Sequence, residues 1–89
     1  MNGRRVYPAD RAGSMWYAPG DYGLDPRDGC WYARPPVERV HLGSLANHEV
    51  TEHADGTISV TPSILITGED PEGEIRWHGF LERGVWRTA

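Results

Sequence analysis

Three side chains in the second half of the chain have types suited to nucleophilic chemistry: His48, Ser63 and His78. A serine hydroxyl is a weak nucleophile at neutral pH and needs an imidazole within reach to take its proton. A further group then holds that imidazole in the right orientation. The second histidine, Glu52, Glu74 and Asp55 are the candidates for that task. Backbone N–H groups near Gly79 are the candidate oxyanion donors, and Pro62 restricts the backbone just before Ser63.

The elements that would bring these residues together follow from turn chemistry. Residues 48–53 place β-formers at alternate positions. Asp55-Gly56 suits a two-residue hairpin loop, and residues 57–61 alternate as a strand. Pro62 interrupts this run and implies an edge, a bulge or a bend. Residues 63–67 resume the strand, 68–73 form a polar turn, 74–81 a further strand, Arg83-Gly84 a turn and 85–87 a last strand. A tight Asp55-Gly56 loop sets His48 opposite Ser63. A second hairpin centred between Asp70 and Pro71 sets Ser63 opposite His78, and directly opposed side chains share a face. The same register puts Ile64, Ile66, Ile75 and Trp77 on the other face, as a core requires. A bulge at Pro62 would shift the first register by one residue.

Other readings of these residues stay open. Ser63 also reads as a bend residue whose hydroxyl satisfies a backbone group, and His78 as a half-buried strand residue making one hydrogen bond. Zinc is a third reading, with His48, His53 and His78 joined by Glu49 or Glu52. Against it, positions 48 and 53 on a strand point to opposite faces. Asp21, Asp25 and Asp28 lack the spacing of an EF-hand loop. Glu69, Asp70 and Glu72 read as turn solvation. No cofactor is expected.

Composition sets the frame. Eighty-nine residues make one domain, 1–89, with a small core; residues 1–14, polar and Arg-rich, read as a loose N-terminal arm. Four Trp, four Tyr and one Phe must supply much of the buried area. The formal charge of −4 argues against a nucleic-acid partner held by a basic face. All nine basic residues are Arg. The single cysteine, Cys30, excludes an internal disulfide and a Cys-based zinc knuckle. With no membrane-length apolar run and no apolar stretch after the basic start, a cytoplasmic protein of a bacterium or phage-infected cell is expected. In the first half, residues 15–18 and 30–33 read as short aromatic strands, 20–29 as a loop, 37–40 as an extension, and 41–47 as the best place for a helical turn. The expected fold is mostly β: a small twisted antiparallel sheet of hairpins with at most one short helix.

The block His48-Glu-Val-Thr-Glu-His-Ala-Asp-Gly-Thr-Ile-Ser-Val-Thr-Pro-Ser-Ile64, followed by Trp77-His-Gly-Phe-Leu-Glu-Arg-Gly-Val-Trp86, resembles small uncharacterised proteins of bacteriophages and prophages. More distantly it is similar to the BubE-like peptidase family of bacterial ubiquitin-like operons. The matching residues are Pro62-Ser63-Ile64, His78, and Gly84 before Trp86, and the resemblance covers roughly the last half of the chain. It implies a serine peptidase acting on a ubiquitin-like or other protein tail, with Ser63 as nucleophile and His78 as base. A cysteine-rich segment found ahead of this block in some relatives is absent here. Three functions follow as expectations: a serine hydrolase of peptidase type with a Ser63/His78 dyad, a non-enzymatic phage accessory protein that binds a host or virion protein, and a zinc-binding domain. A protein partner or substrate is expected in the first two, and no membrane partner in any.

Overall fold

A computed structural model describes residues 1–7 and 17–89. The chain is mostly β, as composition and alternation imply, and the described residues contain no helix. Among the described residues, eight strands form two sheets. The first holds β1 (Arg4–Arg5), β2 (Asp21–Asp25), β3 (Cys30–Ala33) and β4 (Gly43–Ser44), in that order, with β1 parallel to β2. The second holds β5 (Glu49–Glu52), β6 (Ile58–Asp70), β7 (Gly73–Glu82) and β8 (Val85–Thr88), all antiparallel. One core unites them: Tyr22 and Ala33 of the first sheet pack with Ile58, Val60, Ile64, Ile66, Ile75, Trp77, Leu81 and Trp86 of the second. Trp77 and Trp86 meet edge-to-face at 5.5 Å, a favoured geometry for two rings.

The second sheet positions the residues of interest, and its alternation is plain. In β7, Ile75, Trp77, Gly79 and Leu81 are buried while Glu74, Arg76, His78 and Glu82 are exposed. Such a period-2 pattern marks a sheet with one face on the core and one in water. The expected apolar set Ile64, Ile66, Ile75 and Trp77 is buried.

Both hairpin registers differ from the expected ones. The loop after β5 spans three residues, Ala54-Asp55-Gly56. His53 pairs with Thr57 through an N–H to C=O bond of 2.8 Å, and Gly56 takes a positive φ of 87°, a backbone glycine adopts at no steric cost. Glu49 therefore faces Thr61, and His48 is not opposite Ser63. In the second hairpin the loop is Pro71-Glu72, so Asp70 faces Gly73 and Leu65, not Ser63, faces His78. The expected register does hold at Val60 and Leu81. Between there and the Ile64–Gly79 pair, four residue steps of β6 match two of β7. The excess is a bulge around Pro62, where the Thr61–Pro62 bond is cis. Because the excess is even, the core-facing phase of β6 is the same on both sides of it.

The first half departs further. The expected loop 20–29 contains β2, whose Asp21 and Asp25 are buried. Buried carboxylates need partners, and these have them: Arg4 binds Asp21 through two nitrogens at 3.1 and 2.8 Å, and Arg27 binds Asp25. Residues 37–40 form a turn closed by Val40 N–H to Val37 C=O. The expected helical turn in 41–47 is instead β4 and a turn, with Gly43 close against Ile66. Of the expected loose arm, residues 1–5 are tied down: Met1 exchanges backbone bonds with Trp86, Asn2 bridges Val85, and Gly3 bonds Gly84. Residues 8–14, and Met15-Trp16 of the expected first aromatic strand, lie outside the described residues; Tyr17-Ala18 is not strand.

Candidate active site

Ser63 Oγ and His78 Nε2 are 2.8 Å apart on the solvent-facing side of the second sheet. The contact is diagonal. His78 stands opposite Leu65, and Ser63 is the next residue along β6 on that face; diagonal neighbours are within reach of long side chains. The bulge at Pro62 delivers Ser63 to this place. Ser63 is half-buried, His78 is exposed, and Ser63 Oγ has no second hydrogen-bond partner among the described residues. With Nε2 unprotonated, the hydroxyl donates to it, which is the arrangement proton abstraction needs. The ring of Phe80 lies 6.2 Å from that of His78, and the Arg87 guanidinium sits over Phe80 at 5.0 Å.

His48 meets the same serine differently. Its Nε2–H donates to the Ser63 backbone carbonyl at 3.1 Å, and its Nδ1 is buried with no partner among the described residues. It therefore fixes the Ser63 main chain and does not touch the hydroxyl.

The candidates for orienting His78 are engaged elsewhere or make no contact with it among the described residues. Glu52 pairs with Arg5 at 3.0 Å. Asp55 accepts from Thr57 N–H and Oγ–H, which holds its carboxyl below the usual aspartate range. Gly79 is no oxyanion donor: it sits mid-strand, paired with Ile64 and with Thr88.

A second serine–histidine pair, which the expected registers do not bring together, joins Ser59 of the same strand to His53. Ser59 Oγ is 2.8 Å from His53 Nε2 and also accepts the Arg83 N–H at 3.0 Å. This contact too is diagonal, since His53 pairs with Thr57. The signal that finds it is the three-residue reading of the Asp55-Gly56 turn, which a two-residue reading hides.

For zinc, no three His, Cys, Asp or Glu side chains gather around one point among the described residues. His48, His53 and His78 each hold a different group: a carbonyl, Ser59 and Ser63. The acidic loop is likewise internally satisfied, with Asp28 accepting from Cys30 N–H and the Tyr32 hydroxyl. Asp70 takes Arg39 through two nitrogens, which keeps its carboxyl below the ordinary value of 3.8. No helix among the described residues is long and apolar enough to cross a membrane.

Comparison with known proteins returns nothing: no protein-family model, no curated protein and no solved structure matches the chain.

Proposed function

We propose that this chain is a serine hydrolase of peptidase type in which Ser63 is the nucleophile and His78 the general base. The observation that carries the reading is the 2.8 Å contact between Ser63 Oγ and His78 Nε2, with no other partner on that oxygen among the described residues. Ser63 Oγ attacks an acyl carbonyl while its proton passes to Nε2; the imidazolium returns that proton to the leaving amine or alcohol as the acyl–enzyme forms. Water then enters by the same route, giving its proton to Nε2 and its oxygen to the acyl group, and Ser63 is regenerated. His48 positions the nucleophile by holding its carbonyl. The resemblance of Pro62-Ser63-Ile64, His78, and Gly84 before Trp86 to the BubE-like peptidase family of bacterial ubiquitin-like operons implies the same roles for Ser63 and His78.

A fluorophosphonate probe tests this. The wild-type chain takes one phosphonyl adduct and Ser63→Ala takes none. A folded wild-type chain that stays unlabelled at millimolar probe overturns the reading.

A second reading has one observation in its favour. The face around Ser63 presents Leu65, 51% exposed, beside half-buried Phe80, and apolar groups in the open mark contact surfaces. A phage accessory protein that binds a host or virion protein would use this face without chemistry. In either reading the chain works in the cytoplasm of a bacterium or infected cell.

A further inference from the structure

Strand β6 is longer than the strand beside it. β5 pairs with it only from Ile58 to Thr61. From Ser63 to Asp70, β6 has β7 on one side and no strand on the other among the described residues.

The register says which backbone groups face that open side. Asp70 and Gly73 flank a two-residue loop, so they form a hydrogen-bonded pair, and such pairs alternate along an antiparallel ladder. Residues 64, 66 and 68 therefore bond to β7, while Ser63, Leu65 and Thr67 aim their N–H and C=O groups outward. Two contacts agree. The Ser63 carbonyl is met from that side by His48, and the His78 carbonyl bonds Ala89 N–H, away from β6.

These outward groups open into a cleft of about 260 Å³ between residues 64–67 and residues 43–45 of the first sheet. His48 closes one end at the Ser63 carbonyl. His41 closes the other, its Cε1 2.9 Å from where a Cβ on Gly68 would stand. No carboxylate or guanidinium among the described residues lines the cleft, so recognition there falls to neutral groups, the main chain first.

We infer that the cleft binds an extended segment of polypeptide as an added strand on β6, and that this segment is the substrate of the Ser63–His78 site. The inference rests on the hydrolase reading for that last step only. Leu65 and Thr67 repeat a donor and an acceptor at two-residue spacing, about 6.6 Å on a strand. The backbone of an extended chain repeats its own groups at the same spacing, and sheet edges bind peptides in this way. The added strand must leave the edge at Ser63, because His48 already occupies that carbonyl. It leaves where Ser63 Oγ stands, on the outer face beside His78. The substrate class is thus a linear peptide or an extended protein tail, held by its main chain.

The test uses the 15N-labelled full chain with Ser63→Ala, so that no chemistry intervenes. It is titrated with a pool of random-sequence octapeptides and with the same pool methylated on every backbone nitrogen. The Leu65 and Thr67 amide signals are expected to shift with the first pool and not the second. Thr67→Pro removes one outward donor without touching the β6–β7 ladder and is expected to weaken binding about tenfold. Thr67→Ala stays within about twofold, since it leaves the main chain unaltered. Retained protection of the Ile64 and Ile66 amides shows that the proline variant is folded; if it is not, the methylated pool decides on its own. Equal shifts with both pools, or no shift in residues 64–67, overturn the inference. Edge shifts without fluorophosphonate labelling of the wild type sink the hydrolase reading and leave the peptide site standing. Labelling without edge shifts does the reverse.

Discussion

Ser59 and Ser63 stand four residues apart on β6, and each meets a histidine Nε2 at 2.8 Å. Distance does not separate them; the other partners of each oxygen do. Ser59 Oγ accepts the Arg83 N–H and also meets His53 Nε2, so it ties the β5–β6 hairpin to the turn between β7 and β8. That turn carries Arg83 at a positive φ of 46°, a backbone uncommon for a residue other than glycine, and the bond from Ser59 helps to hold it. Ser63 has no such duty among the described residues. It stands at a bulge, its carbonyl held by His48, with its hydroxyl on the histidine alone among the described residues. The first pair is a clasp, and the second leaves its hydroxyl available for the proton transfer proposed above. A serine–histidine contact is therefore weak support for catalysis until the remaining lone pairs and protons of both groups are assigned.

The largest expected effect is on reactivity. His78→Asn removes the proposed base and is expected to reduce fluorophosphonate labelling by about a hundredfold or more, within the range general-base catalysis contributes. His53→Asn leaves the labelling rate within about twofold. Equal losses in the two variants would erase the distinction between the pairs.

Stability should divide the other way. Ser59→Ala strands the Arg83 N–H and costs about 1 kcal/mol in a urea titration, the usual net worth of one hydrogen bond. Ser63→Ala, at a site open to water, costs about 0.5 kcal/mol or less. The reverse order would make Ser63 the clasp.

The smallest effect concerns acid. Asp55 beside the His53 hairpin accepts two bonds from Thr57, and its carboxyl is held below the ordinary 3.8. A depressed carboxyl stabilises the fold fully above that ordinary value, and the contribution fades as pH falls through the lower, folded-state value. Below pH 3.8 the Gly56 and Thr57 amides are thus expected to lose protection from hydrogen exchange before the Ile64 and Ile66 amides do. Simultaneous loss would show that the loop and the Ser63 region open as one unit.

Much of the second half is legible from sequence because its side chains alternate strictly and its turns carry Gly or Pro. The polarity of Ile64, Ile66, Ile75 and Trp77 against His78 fixes which face each residue takes. It does not fix the register along the strand. Both loops differ from the expected ones, Asp55-Gly56 lying in a three-residue loop and Pro71-Glu72 forming the tight one. The Ser63–His78 contact survives because a shift of two preserves the face and leaves a diagonal within reach. The first half hides its strand. Asp21 and Asp25 read as loop residues because an unpaired aspartate belongs in water. Their partners are Arg4, seventeen residues away, and Arg27, and only the folded chain shows that these carboxylates are neutralised in place.

The most direct measurement is to locate the fluorophosphonate adduct by peptide mapping of the labelled wild-type chain. The adduct is predicted on Ser63 alone, in a chain where Ser59 has an equally close histidine. An adduct on Ser59, or labelling spread evenly over Ser44, Ser59 and Ser63, would contradict the assignment of Ser63 as the nucleophile.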